Sequence, residues 1–101
     1  MELREAYPKA IEISKSIISG ELDPYEGAMK VWNEILDYLE ERIPEDLWSF
    51  KSNASAIEDI IWNFENGGEE NKKLIESCKM EVVEASKYLI EKYNQSVFTT
   101  P

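Results

Sequence analysis

A turn signal at residues 20–28 constrains the fold of this chain more than any other stretch. Gly20 follows an apolar run, and a glycine just past a helix takes a positive φ without the steric cost of a Cβ atom. Asp23 precedes Pro24 and Glu26, which is the pattern of a helix N-terminus: a capping carboxylate, a proline at the first helical position and a glutamate near the positive end of the helix dipole. Because the link is so short, the two helices are predicted to form an antiparallel hairpin.

Gly27 lies inside the second predicted helix, where glycine costs about 1 kcal/mol relative to alanine. Close packing of the two helices at this position is the favoured explanation. A ligand that approaches the backbone there is the alternative.

Apolar residues recur every three or four positions along most of the chain, which is the pattern of amphipathic helices. No run alternates apolar and polar residues as a strand does. The chain of 101 residues is therefore predicted to be one all-α domain, a small up-and-down bundle of about four helices. The predicted helices cover residues 8–19, 24–42, 53–65 and 70–94. Pro8 leaves open an earlier, kinked start. Residues 44–52 are predicted to form a helical turn or an ordered loop over the bundle, and residues 95–101 a frayed tail.

Acidic residues are concentrated in the middle of the chain. The formal net charge is −10, and residues 21–70 hold fourteen acidic residues against three basic ones. Self-repulsion of this kind destabilises a compact state, so a basic protein partner that offsets it is one interpretation. The other is a solvated acidic face that only keeps the protein in solution.

The composition lacks the groups of the common enzyme sites. The chain has no histidine and a single cysteine, Cys78, which leaves no catalytic triad, no histidine-containing zinc site and no intrachain disulfide. The carboxylate pairs Glu58–Asp59 and Glu69–Glu70 are the candidates for binding Mg²⁺ or Ca²⁺. The two members of each pair point to different sides of a helix and lack EF-hand spacing, so a divalent-cation site is only a third, weaker hypothesis. We therefore expect no enzyme activity, no metal and no cofactor. We also expect no direct nucleic-acid binding, because an acidic surface repels phosphates.

The sequence also allows a prediction of the cellular location of the protein. Residues 1–5 are charged and do not lead into the apolar segment of a signal peptide. No apolar run approaches the roughly 18 residues that span a bilayer. Cys78 falls on the apolar stripe of its helix and is expected to be a buried thiol. A cytoplasmic protein without membrane contact is predicted.

The segment Gly-Glu-Leu-Asp-Pro-Tyr-Glu-Gly-Ala at residues 20–28 has two isoleucines shortly before it and Trp32 after it. It resembles a group of short bacterial proteins of unassigned function, in which a G-E-x-x-P-x-E-G-A-like turn joins two helices. Residues 47–50 and 54–59 are similar to a second block of that group. The resemblance covers roughly residues 10–62 and implies a bacterial source and a helical fold. It implies no particular activity.

Two functional hypotheses follow from these observations. The first is a non-enzymatic interaction module, most concretely an immunity or antitoxin-type inhibitor of a basic toxin such as a nuclease, with a tryptophan as buried anchor. The candidate partner-binding residues are Glu34, Asp37, Glu41, Glu45, Asp46, Trp48, Glu58 and Asp59. The second is a structural or regulatory helical protein with a solvated acidic face, in one version a homodimer joined through Val31, Tyr38 and Trp62.

Overall fold

Four α-helices form the fold in a computed structural model that describes the backbone of residues 1–99 and the side chains of residues 1–93. They are α1 (Leu3–Ser19), α2 (Pro24–Glu34), α3 (Glu45–Glu65) and α4 (Lys72–Thr99), with a short 3₁₀-helix at Leu36–Tyr38. No strand occurs within residues 1–99. Helix α4 packs against α1 and α3, and α2 packs mainly against α3 with smaller contacts to α1 and α4. The predicted all-α bundle of four helices is confirmed.

Small side chains on α1 let a neighbouring helix approach closely. Ala6, Ala10 and Ser14 recur every four positions and are fully buried, so they form one continuous stripe on α1. Helix α4 packs against α1 and buries Val82 and Ser86. The Ser86 hydroxyl donates to the Val82 carbonyl at 2.9 Å, which satisfies its hydrogen-bonding capacity inside the core.

The larger core side chains lie on α2, α3 and the segment between them. Val31, Ile35, Leu47, Phe50 and Ile57 are all at most 1% exposed. Burying side chains of this size contributes about 1.5–3 kcal/mol each. The last three recur at helical spacing, which explains why α3 begins at Glu45 and not at residue 53 as predicted. The stretch expected to be a turn or loop supplies the first part of the buried face of α3.

Helix α1 begins at Leu3 and passes through Pro8, so the predicted start at residue 8 is wrong and the alternative of an earlier start is the one found. Proline inside a helix costs a backbone hydrogen bond and a steric clash. Here long-range contacts hold the preceding turn. The ammonium group of Met1 donates to the Tyr38 carbonyl, and the Glu40 N–H donates to the Met1 carbonyl at 3.1 Å.

Helix α2 ends at Glu34 and not near residue 42, since the backbone leaves the α-helical path at Ile35, where φ is −122° and ψ is −63°. The backbone groups of Tyr38 and Glu40 pair with Met1 instead of extending α2. The chain forms only the short 3₁₀-helix and becomes extended at Leu39, where φ is −68° and ψ is 130°. The early end also keeps Glu40 and Glu41 away from the negative end of a helix dipole.

The two ends of α4 also differ from the prediction of 70–94. The helix begins at Lys72, because the Asn71 side chain caps it by accepting from the Leu74 N–H at 3.3 Å. It continues to Thr99, five residues past the predicted end. Residues 100–101 of the predicted frayed tail lie outside the described residues. None of the helices over residues 1–99 combines the length and the apolar character that crossing a membrane requires.

The turn between α1 and α2 has the predicted geometry. Gly20 has a φ of 85°, which glycine adopts without strain. The Asp23 carboxylate accepts from the Tyr25 N–H at 2.9 Å and caps α2. Gly27 is buried, and a Cβ atom added there would overlap the Ile17 side chain. Close helix packing is therefore the reason for glycine at this position.

Candidate functional site

The eight predicted partner-binding residues do not form one surface. One group lies where α2 ends and α3 begins, and consists of Glu34, Asp37, Glu41, Glu45, Asp46 and Trp48. Glu58 and Asp59 lie about 20 Å further along α3, at a helical rise of about 1.5 Å per residue. A single basic side chain cannot reach both groups, so the two groups are separate candidate surfaces.

Most acids of the first group are exposed to solvent. Asp37 and Glu45 make no ion pair within the described part of the chain. Glu34 lies 3.8 Å from the Lys30 ammonium, an exposed pair that is worth little in water. Glu41 accepts a long hydrogen bond of 3.5 Å from a backbone N–H. These carboxylates are therefore accessible to a partner.

Asp46 differs from the other acids, because its carboxylate is already satisfied within the chain. Its Oδ1 atom accepts from the Tyr7 hydroxyl at 2.9 Å, and its Oδ2 atom lies 3.0 Å from the Lys92 ammonium. Its side chain is only 12% exposed. These contacts join α3 to α1 and α4. Asp46 is thus the predicted residue that is least available to a partner.

Two groups of this network, the Tyr7 hydroxyl and the Lys92 ammonium, have raised pKa values. Burial, and then the hydrogen bond to Asp46, raise the pKa of the Tyr7 hydroxyl well above its usual value. The hydrogen bond to Asp46 and the charge of Asp46 raise the pKa of the Lys92 ammonium. The Lys92 nitrogen also lies 5.8 Å from the Tyr7 ring centre and 5.9 Å from that of Tyr88. Lys92 therefore stays charged, and its charge is compensated by Asp46.

A groove of about 670 Å³ opens beside this network between α3 and α4. Four carboxylates line it: Glu45 and Asp46 on α3, and Glu81 and Glu84 on α4. Lys92 is the only basic residue among the described side chains that line the groove, and it is paired with Asp46. We call this feature the acidic groove.

The walls of the acidic groove suit a long cationic side chain. Tyr88, which is 55% exposed, and the small side chain of Ala85 form part of its wall. Apolar surface of this kind packs against the methylene stem of lysine or arginine, while carboxylates hold the charged head. The groove can therefore bind basic side chains of another protein.

Trp48 lies beside the acidic groove, in a second depression that it shares with Glu45 and Arg42. It is 48% exposed. The Lys51 ammonium lies 5.5 Å from the Trp48 ring centre and 5.3 Å from that of Trp32, within cation–π range of both. Trp48 is thus held in place on one side, and much of its surface remains free for a partner to bury.

The sequence prediction missed the contribution of α4 to the acidic groove. Residues 71–101 carry nearly balanced charge, so that part of the chain was not a candidate. Glu81, Glu84 and Tyr88 nevertheless follow one another at spacings of three and four, which places them on one side of the helix. That spacing, next to the apolar stripe of α4, is the signal that identifies them.

The second acidic group lies near the other end of α3. Glu58 and Asp59 are exposed and border a depression that Tyr25 and Trp62 also line. Burial, and then the charge of Glu58, raise the pKa of the Tyr25 hydroxyl. The homodimer surface considered from sequence does not exist in that form, because Val31 is fully buried.

The part of the chain that is described gives little support for a metal site or a reactive thiol. No group of three or more carboxylates or thiols is placed to hold a metal ion there. Cys78, expected to be buried, is only half-buried. Burial, and then the charge of Glu81, raise the pKa of its thiol, which favours the protonated and less nucleophilic form.

Comparisons with protein-family models, with curated proteins and with solved structures find no match to this chain. The resemblance of residues 20–28 to a turn of short bacterial proteins therefore stays a prediction.

Proposed function

We propose that this chain is a non-enzymatic protein-interaction module that binds a basic protein through the acidic groove. The observation that carries this function is the set of four carboxylates around a groove of about 670 Å³. Among the described side chains its one basic residue is Lys92, which is already paired. Glu45, Glu81 and Glu84 are exposed at the groove. Glu84 makes an exposed ion pair of 3.6 Å with Lys87 on the same helix, and such a pair is worth little in water. Glu45 and Glu81 make no ion pair within the described residues, so the charge of these carboxylates can attract cations from another molecule.

Binding through such a groove has two physical parts. The net charge of −10 steers a basic partner toward the module and speeds its association at low salt. Lysine or arginine side chains then enter the groove, where the carboxylates of Glu45, Glu81 and Glu84 replace the water that the cations lose. Trp48, next to the groove, supplies apolar area of the kind that is enriched at binding hot spots.

The most concrete form of this function is an immunity or antitoxin-type inhibitor of a basic toxin such as a nuclease. A nuclease needs positive charge around its substrate, and an acidic module that covers this charge excludes the nucleic acid. The size of 101 residues and the absence of histidine suit a stoichiometric inhibitor better than an enzyme. A cytoplasmic location belongs to the same hypothesis, since the lone Cys78 needs no oxidising compartment.

The experiment is affinity capture from the source organism at low salt, with three forms of the protein as bait. One is the unchanged chain, and one is the groove variant with Glu45, Glu81 and Glu84 each changed to lysine. The matched control carries the same charge change at exposed sites outside the groove, Glu12→Lys, Glu21→Lys and Glu65→Lys. All three are first checked for helical content by circular dichroism.

We expect a basic protein to be retained by the unchanged chain and by the control, and to be lost from the groove variant. Raising the salt concentration should release it, because screening weakens attraction between exposed charges. Equal retention by the groove variant and the control would remove the groove from the interaction. Recovery of no basic protein by the unchanged chain would contradict the function itself.

A further inference from the structure

The acidic groove already holds a cation, which belongs to the chain itself. The Lys92 ammonium lies 3.0 Å from Oδ2 of Asp46, and it is 5.8 Å from the ring centre of Tyr7 and 5.9 Å from that of Tyr88. A carboxylate flanked by two aromatic rings is a favourable place for a positive charge. We call the side chains of Asp46, Tyr7 and Tyr88 the cation subsite of the groove.

The cation subsite is assembled by the packing of three helices. Tyr7 comes from α1, Asp46 from α3 and Tyr88 from α4. The Tyr7 hydroxyl donates to Oδ1 of Asp46 at 2.9 Å, which orients the carboxylate and leaves Oδ2 to a cation. Because the Asp46 side chain is only 12% exposed, leaving its charge without a partner would be costly. The subsite therefore needs a cation, but nothing in its construction requires that cation to be Lys92.

Lys92 is a weakly held occupant of this subsite. Its side chain is 52% exposed, and an ion pair that solvent screens in this way shifts an equilibrium by about fivefold or less. Lys92 also borders a smaller depression of about 270 Å³, which Ile11, Leu89 and Tyr93 line as well. The lysine stem can lie against that apolar surface while its charge stays in water. Moving the ammonium away from Asp46 therefore opens no cavity in the core.

Arginine suits the cation subsite better than lysine does. A guanidinium group is planar, stacks on aromatic rings and donates two parallel hydrogen bonds to a carboxylate, whereas an ammonium group is a compact and strongly hydrated point charge. A lysine from another protein would exchange one ammonium for another and gain little. An arginine would gain stacking on Tyr88, which is 55% exposed, and a second hydrogen bond to Asp46.

We propose that the cation subsite binds an arginine side chain of the basic partner, which displaces Lys92 from Asp46. This inference rests on the proposed function and specifies the chemistry of the partner. In the free protein Lys92 keeps the charge of Asp46 paired. Lys92 also makes the groove selective, because a cation that binds no better than lysine does not displace it. Glu45, Glu81 and Glu84 hold the other cations of the same segment.

Calorimetric titration at low salt tests the subsite with two probes, tetra-arginine amide and tetra-lysine amide. Lys92→Met removes the internal occupant. The matched control is Lys79→Met, because Lys79 also forms an ion pair of 3.0 Å, with Asp23, but does not line the groove. The double variant Lys92→Met with Asp46→Asn removes both charges of the subsite and keeps the net charge of the unchanged chain at −10.

We expect the unchanged chain to bind the arginine peptide about threefold or more tightly than the lysine peptide. Lys92→Met should strengthen binding of the arginine peptide about threefold to fivefold relative to Lys79→Met, because the peptide no longer has to displace an ion-paired side chain. The double variant should lose this gain, and its preference for arginine should fall.

Equal strengthening by Lys92→Met and Lys79→Met would overturn the displacement of Lys92. A double variant that keeps the full preference for arginine would overturn the subsite. In either case, peptides that bind the unchanged chain but not the variant with lysine at residues 45, 81 and 84 would leave the proposed function standing. If neither peptide binds any form of the protein, the subsite is also overturned, while the proposed function is decided separately by the affinity capture of a folded partner.

Discussion

Replacing Gly27 by alanine gives a sharp test of how α2 packs on α1. Two effects oppose each other at this position. Alanine is favoured over glycine inside a helix by about 1 kcal/mol. The added Cβ atom would, however, overlap the Cγ1 and Cδ1 atoms of Ile17, a side chain that is only 4% exposed. Overpacking of this kind costs about 1–3 kcal/mol. We expect Gly27→Ala to lower the free energy of unfolding by about 1 kcal/mol.

A double-mutant cycle with Ile17 separates the two effects. Ile17→Ala alone should cost about 2–5 kcal/mol, because it leaves a cavity in the core. It also removes both atoms that the new Cβ would overlap. The nearest remaining atom, Cδ2 of Leu22, lies at 3.4 Å. In the Ile17→Ala background, Gly27→Ala should therefore stabilise the protein by about 1 kcal/mol, since only helix propensity remains.

The measurement is urea unfolding followed by circular dichroism, with free energies compared at equal slopes. Asn33→Ala is the control for helix propensity, because Asn33 is exposed on the same helix. If Gly27→Ala stabilises the unchanged protein as much as it stabilises Ile17→Ala, the two positions are not coupled. Close packing would then not be the reason for glycine at residue 27.

Three further predictions concern single polar groups. Among the described residues, the Ser14 hydroxyl is buried without a hydrogen-bond partner, so Ser14→Ala should raise the free energy of unfolding in urea by about 1 kcal/mol. Burial raises the pKa of Asp23, but the hydrogen bonds from Lys79 and from the start of α2 outweigh it and lower the pKa below its usual value. Asp23 therefore contributes stability above its unfolded-state pKa of about 3.9 that is lost as the pH falls through the lowered value. Asp23→Asn should flatten the acid limb of the pH–stability curve. Asp46 raises the pKa of Lys92, so their pairing contributes stability below a pH of about 10.4 that is lost as the pH rises through the raised value. Because Lys92 is half exposed and solvent screens its pairing, Lys92→Met should cost only about 0.5 kcal/mol at neutral pH in urea unfolding and should remove that alkaline loss.

Helix ends that depend only on neighbouring residues were predicted correctly from the sequence. Asp23 and Pro24 gave the start of α2, and Gly20 gave the end of α1, because capping and positive φ involve neighbouring residues only. The prediction was wrong where contacts between residues far apart in the sequence determine the path of the backbone. Residues 38–40 do not continue α2, and the backbone groups of Tyr38 and Glu40 pair instead with Met1, 37 or more residues away in the chain. Apolar periodicity carries no information about such a contact.

The candidate site also has features that could be predicted from the sequence and features that could not. The acidity of the middle segment is visible in the sequence, and Glu45 lies in the groove as part of that segment. The internal pairing of Asp46 with Tyr7 and Lys92 was not predictable, because both partners lie about 40 residues or more away in the chain. Glu81 was not predicted as a site residue, because the charge of the last third of the chain is nearly balanced and composition does not show which side of a helix a charge occupies.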